Sequence, residues 1–324
     1  MTVSKNWTLP AALQPQPEQV PFDLRSALQS VVMVHAEIPE AAFTAPLLGT
    51  ERIGSGVVIG DDGMVLTIGY LITEARNVWL STHNGRAVPG HVAGYDQTSG
   101  FGLVQPLGDL GVPVLQRGSS AGLDVGANAI VIGHGGLAHS LNVHVTARRE
   151  FAGHWESLLD DAIFTAPAHP QWGGTALVGT DGLLLGVGSL LVEESNRDET
   201  FDANLFVPVD LLDPILDDML HAGRPLQTPR PWLGMYATEQ HGRLVVGALA
   251  QDGPAHRAGV RVNDEVTAVA GRGVAGLADM FRKVWSIGPA GAEIPLTLIR
   301  GEQTSQVRVH SADRYDYLLK PQRH

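Results

Sequence analysis

Cysteine is absent from the 324 residues. That removes disulfides, thiolate nucleophiles and cysteine-held zinc together, and it says nothing about compartment. Charge is scarce as well: Asp, Glu, Lys and Arg make up 17% of the chain, where about a quarter is usual. The charge present is acidic, with a formal net charge of −12 at pH 7. No basic run occurs, so a nucleic-acid partner, which needs clustered Lys and Arg, is not expected. No stretch is long and apolar enough to span a bilayer. The opening MTVSKNWTLPAALQPQPEQVPFDL has no apolar core of signal-peptide length and is broken by Pro10, Pro15, Pro17 and Pro21. The expectation from these two absences is a cytoplasmic protein.

Glycine and apolar residues are abundant. The chain carries 38 Gly and 20 Pro with 44% hydrophobic residues, a composition that favours many short strands and turns. GSGVVIGDDGMVLTIGYLI reads as a hairpin turned at Asp62-Gly63, and VWLSTHNGRAVPGHVAGYD as one turned at Asn84-Gly85. Further apolar runs fall at 101–107, 127–132, 141–147, 162–166, 175–179, 183–192 and 204–209. Their close spacing predicts an all-β barrel or sandwich. LLDPILDDMLHAG predicts an amphipathic helix stopped at Gly223. The pattern then divides the chain into an N-terminal arm (1–21), a first domain (22–224), a proline-rich linker (225–230), a second domain (231–313) and a tail (314–324). In the second domain GRLVVGALA, EVTAVAG, IPLTLIR and SQVRVHS read as strands around a helix at LADMFRKVW.

A family resemblance rests on the order and spacing of several segments. GSGVVIGDDGMVLT, NVWLSTHNGRAVPGHVAGYDQTSGFGLV, AIVIGHGG and NLFVPV resemble, in that order, the successive strands and turns of HtrA (Deg)-type trypsin-like serine proteases. PWLGM resembles the loop that opens the PDZ domain following them. The resemblance covers residues 54 to 209 and 231 to 312. It implies a mainly β chain, a trypsin-like double β-barrel followed by a PDZ-like α/β domain.

The catalytic triad does not carry over. By the resemblance, the His position holds Tyr70, the Asp position Gly100 and the Ser position Gly173; a shift of one residue would give Trp172 or Gly174. A serine nucleophile needs a base of near-neutral pKa and a third group to orient it. A tyrosine, with a reference pKa of about 10, is a phenol at pH 7, and glycine has no side chain to attack or orient with. The expectation is therefore a pseudoprotease, not an enzyme, with degenerate triad positions Tyr70, Gly100 and Gly173.

Two other chemistries compete. Thr175, Ser99, His169 and His134 lie in loops that the fold would bring near the old nucleophile position, so a Thr175/His169 dyad is one alternative. The 13 His offer another, a metal site drawn from His134, His139, His144 and His169. No HExxH or HxH pair supports it, so no metal and no cofactor is expected.

Binding remains. The resemblance implies that backbone amides of Trp232, Leu233, Gly234 and Met235 receive a carboxylate, with Met280 and Val284 lining a side-chain pocket. The alternative is that these two are core and that the groove is closed or filled by the chain itself. Expected partners are other proteins or their C-termini, in a scaffold or adaptor role. A homo-oligomer or hetero-complex is also expected, with Trp7 and Phe22 as candidate contacts.

Overall fold

The computed structural model describes residues 7–153, 155–195 and 199–319. The first six residues of the arm and residues 320–324 of the tail lie outside them. Two compact units emerge. One is residues 1–149, 161–225 and 319–324, and the other is 150–160 and 226–318. No described helix is long and apolar enough to cross a membrane.

The first unit contains two closed six-stranded antiparallel barrels. Asp23 caps the short helix α1 (Leu24–Gln29) by accepting from the Ser26 amide at 3.1 Å. There follow β1 (Val31–Glu37), the single turn α2 (Ala45–Leu48), β2 (Glu51–Val58), β3 (Val65–Ile68), β4 (Asn77–Ser81), β5 (Ala87–Tyr95) and β6 (Phe101–Pro106). They close in the order β1-β2-β3-β6-β5-β4. The Asp62-Gly63 and Asn84-Gly85 hairpins form where the sequence places them. β3 is buried at every position and β4 alternates, with Val78 and Leu80 inside and Trp79 exposed. This is the two-residue period of a strand with one wet face.

The second barrel comprises β7 (Asn128–Ile132), β8 (Ser140–Gly153), β9 (Ser157–Ala166), β10 (Ala176–Val178), β11 (Leu184–Ser195) and β12 (Thr200–Pro208). Its order is β10-β11-β12-β9-β8-β7. Phe164 and Phe206 are fully buried in it. Helix α3 (Leu216–Ala222) ends at Gly223, whose left-handed conformation lets its amide donate to the Met219 carbonyl at 3.0 Å.

The second unit holds β13 (Met235–Gln240), β14 (Arg243–Leu249), α4 (Pro254–Arg257), β15 (Glu265–Val269), β16 (Arg272–Gly273), α5 (Leu277–Trp285), β17 (Glu293–Arg300) and β18 (Gln303–His310). The sheet order is β13-β14-β15-β17-β18, so β13 is an edge strand. The apolar face of α5, Leu277, Met280, Phe281 and Val284, recurs at helical spacing and is buried. The expected architecture, two barrels followed by an α/β unit, is the one found. β13 was not read as a strand in the sequence because its second half, Thr238-Glu239-Gln240, is polar.

Candidate functional site

The three positions assigned to a triad do converge. Tyr70 sits in the one-turn helix Gly69–Leu71 after β3. Its hydroxyl donates to the Ser189 carbonyl of β11 at 2.9 Å, so it joins the first barrel to the second. Burial drives the Tyr70 hydroxyl above the ordinary phenol range, outweighing a hydrogen bond with the Trp172 side chain. It holds its proton firmly and cannot act as a base. Gly173 lies beside it: a Cβ there would meet the Tyr70 hydroxyl at 2.7 Å. The Gly100 carbonyl accepts from the Gly69 amide at 2.6 Å. Asp96, upstream of Gly100, is turned inward on its own loop and accepts from the Thr98 and Ser99 amides at 3.1 and 2.8 Å.

Backbone packing is tight around Gly173. Its carbonyl accepts from the Ser55 amide at 2.8 Å. The neighbouring Gly174 has φ +76, and a Cβ on it would collide with the Ser55 carbonyl. Only glycine fits there.

Arg52 fixes the Tyr70 backbone from the other side. It is 5% exposed, and it donates to the carbonyls of Tyr70 at 2.6 Å and Thr73 at 3.2 Å and to the Thr44 hydroxyl at 2.8 Å. Burial lowers its pKa to about 10, with the nearby Glu74 charge pulling it back up.

The structure does not assemble the Thr175/His169 dyad. Thr175 is fully buried and its hydroxyl donates to the Trp172 carbonyl at 2.8 Å. Both ring nitrogens of His169 contact backbone groups, Nε2 at 3.1 Å from the His139 carbonyl and Nδ1 accepting from the Gln171 amide at 3.1 Å. Asn204 brackets the His169 backbone, Oδ1 accepting from its amide at 2.6 Å and Nδ2 donating to its carbonyl at 3.2 Å. Burial pushes His169 down to about 4, so the ring is neutral at pH 7. His169 is a structural pin, and Ser99 serves its own loop through the Phe101 amide.

The histidines cluster with the N-terminal arm. The Trp7 ring stacks on His139 with centroids 4.0 Å apart, and the Trp7 carbonyl lies 3.0 Å from His139 Nε2. Phe22 packs against Gly182. Both rings thus pack on their own unit, and each remains partly exposed. His144 is exposed on β8, and among the described residues no group of three His, Asp or Glu is arranged to hold a metal.

One contact had no signal in the sequence. Ser55 Oγ lies 3.1 Å from His134 Nδ1, and the His134 amide donates to the same oxygen at 3.2 Å. Burial, then the neighbouring His139, lowers His134 to about 4, so the ring is neutral at pH 7 and resists protonation. Seventy-nine residues separate the pair.

The carboxylate loop of the second unit is built from part of the expected residues. The Leu233 amide donates to Glu156 Oε2 at 3.0 Å and to Oε1 at 3.2 Å, and the Met235 amide donates to Oε1 at 3.1 Å. The Gly234 amide also bonds this carboxylate. Gly234 has φ +65, the conformation that turns successive amides toward one point. Trp232 is corrected: its amide donates to the Ala312 carbonyl at 3.0 Å, so it is not available to a ligand. Met280 and Val284 are corrected too. Each is 1% exposed in the unit's hydrophobic core, where their spacing serves packing.

The fold and site define a two-part class of chain. Residues 54–187 match the trypsin-like peptidase domain and residues 231–310 the PDZ domain. The serine endoprotease DegS of Escherichia coli (strain K12) is 25% identical over 81% of this chain and 77% of the relative. The serine protease PepD of Mycobacterium tuberculosis is 27% identical over 95% of this chain and 69% of the relative. Among solved structures, the HtrA-type protease AlgW with decapeptide aligns with a TM-score of 0.53 at 19% identity, covering 90% of this chain and 99% of that one. The serine endoprotease from Yersinia pestis aligns at 0.51 and 21%, covering 91% and 99%.

The chain thus carries a trypsin-like peptidase domain followed by a PDZ domain, and along most of its length it is similar to HtrA-type serine endoproteases. The expectation that it is no enzyme is overturned by this result, since relatives aligned along most of its length are named serine endoproteases.

Proposed function

We propose that this chain captures extended peptides of partner proteins through its PDZ unit. The free C-terminal carboxylate is received by the amides of Leu233, Gly234 and Met235, and the peptide backbone adds to the open edge of β13. One observation carries this reading: those amides converge on a single carboxylate, that of Glu156. That convergence supports reading the loop as a receptor for a peptide carboxylate. Partners are proteins with accessible C-termini, in keeping with a scaffold or adaptor role.

The test uses the full chain carrying Glu156→Ala, which frees the amides. Dye-labelled decapeptides with apolar C-terminal residues are compared with their C-terminally amidated forms by fluorescence anisotropy. The free acids should bind at least ~10-fold more tightly, as loss of charge-assisted hydrogen bonds implies. Equal binding of acid and amide would sink the reading.

A second reading, peptide hydrolysis, is favoured by the Ser55–His134 pair. Burial holds His134 at about 4, too weak a base for the Ser55 proton, and only solvation of the ring would return it toward its ordinary value of about 6.5. Ser55 is 1% exposed, so this requires the barrel junction to open. Gly173 supplies no nucleophile in any arrangement. Hydrolysis of casein should vanish in Ser55→Ala if this reading holds. Activity that survives the substitution would dismiss it.

A further inference from the structure

Glu156 lies in the turn between β8 and β9 and is 8% exposed. Its φ is +59, in the left-handed region that a residue of this type seldom adopts. Such conformations persist where surrounding contacts over-determine them, and they gather at ligand clamps and switches. The contacts here are plain. Oε1 and Oε2 accept from the Leu233 and Met235 amides at 3.0 to 3.2 Å, and the Gly234 amide completes the set. Arg314 Nη1 donates to the Trp155 carbonyl at 3.1 Å, fastening the turn. Arg282 on α5 pairs with Glu150 and, at 2.8 Å, with Asp160, one at each end of the segment. Leu158 is buried in the core of the same unit.

We propose that Glu156 is the resident ligand of the carboxylate site, and that an extended peptide with a free C-terminus binds by displacing the turn that carries it. The proposal rests on the reading of Leu233, Gly234 and Met235 as a peptide-carboxylate receptor. The amides of one loop cannot satisfy two carboxylates at once, and two such charges in one buried site repel. The side chain of an internal glutamate therefore stands where a peptide terminus would stand. The fraction of chains with a vacated loop sets the apparent affinity for any external peptide. The ligand class follows: a chain ending in a free carboxylate, able to compete with a tethered one.

Two readouts on the full chain decide the matter. In the peptide-free state, hydrogen exchange at the Leu233 and Met235 amides should be slow in the wild type and ~10-fold or more faster in Glu156→Ala. Equal exchange in both overturns the proposal whatever peptides do. In the second readout, free-acid decapeptides should bind Glu156→Ala ~10-fold or more tighter than the wild type. Glu156→Gln, which keeps the shape but replaces one acceptor oxygen with a donor NH2, should lie between and guards against misfolding of the alanine variant. Equal affinity for the wild type and both variants overturns displacement and leaves the peptide receptor standing. No binding to any of the three overturns the receptor reading and displacement with it.

Discussion

The Tyr70 hydroxyl donates to the Ser189 carbonyl oxygen at 2.9 Å, a bond that spans the two barrels. Beside it, Gly173 leaves room that any side chain would fill, since a Cβ there meets the hydroxyl at 2.7 Å. Residue size and hydrogen bonding at these positions are matched to each other.

Tyr70→Phe removes the donor and leaves the Ser189 carbonyl without it. Unfolding free energy should fall by about 1–3 kcal/mol. Urea denaturation followed by tryptophan fluorescence checks this, with the midpoint lowered and the slope unchanged.

Gly173→Ser should destabilise the wild type and cost less in a Tyr70→His background, where the obstructing hydroxyl is gone. A double-mutant cycle should give a coupling of at least about 0.5 kcal/mol. Adding Gly100→Asp costs roughly 1 kcal/mol more, because position 100 sits at φ +81. Additive effects at Tyr70 and Gly173 would show that the two do not touch.

His169 gives a pH signature. Burial lowers it from 6.5 to about 4, so the unfolded chain takes up its proton first as pH falls. The depressed value makes the contribution complete above 6.5 and progressively lost between 6.5 and 4. From pH 7 to pH 5 the wild type should lose about 2 kcal/mol more than His169→Gln. Parallel losses in the two proteins would mean that His169 is not held neutral.

Glu156 titrates with the opposite sign. Burial raises it from 4.5 to about 7, although the Leu233 and Met235 amides, Arg314 and the Gly234 amide pull it down. Tyr236 also faces it; burial raises that phenol, which stays uncharged in this window. A raised carboxylate favours the docked turn below about 4.5 and loses that advantage as pH passes about 7. Peptide affinity of the wild type should therefore increase from pH 6 to pH 8. Glu156→Gln should show no such rise, as measured by anisotropy at the two pH values.

Arg52→Met should be the costliest of these substitutions, at roughly 3 kcal/mol. It removes four donated hydrogen bonds to Gly49, Thr73, Tyr70 and Thr44 and the cation facing Glu74. A loss below about 1 kcal/mol in thermal unfolding would show that water replaces the guanidinium.

Much of the fold was legible because its signals are local. Asp62-Gly63 and Asn84-Gly85 mark hairpins by the backbone freedom of their glycines. Gly223 marks the end of α3, and LADMFRKVW coincides with α5 (Leu277–Trp285). The site was less legible because its contacts are long-range. Glu156 is 77 residues from Leu233, and no periodicity connects them. Met280 and Val284 were misread because spacing along a helix marks a face without saying what covers it. Trp7 stacks on a histidine 132 residues away, a contact that no local pattern announces. The three triad positions were legible only through resemblance, and their side chains alone did not settle enzymatic class.

The most direct measurement is the amide spectrum of the full chain, 15N-labelled, titrated with a free-acid decapeptide. The account predicts that the Leu233, Gly234 and Met235 amides shift most, together with Glu156, and that the amidated peptide leaves all four unmoved. Shifts confined to other residues, or equal shifts with acid and amide, would contradict it.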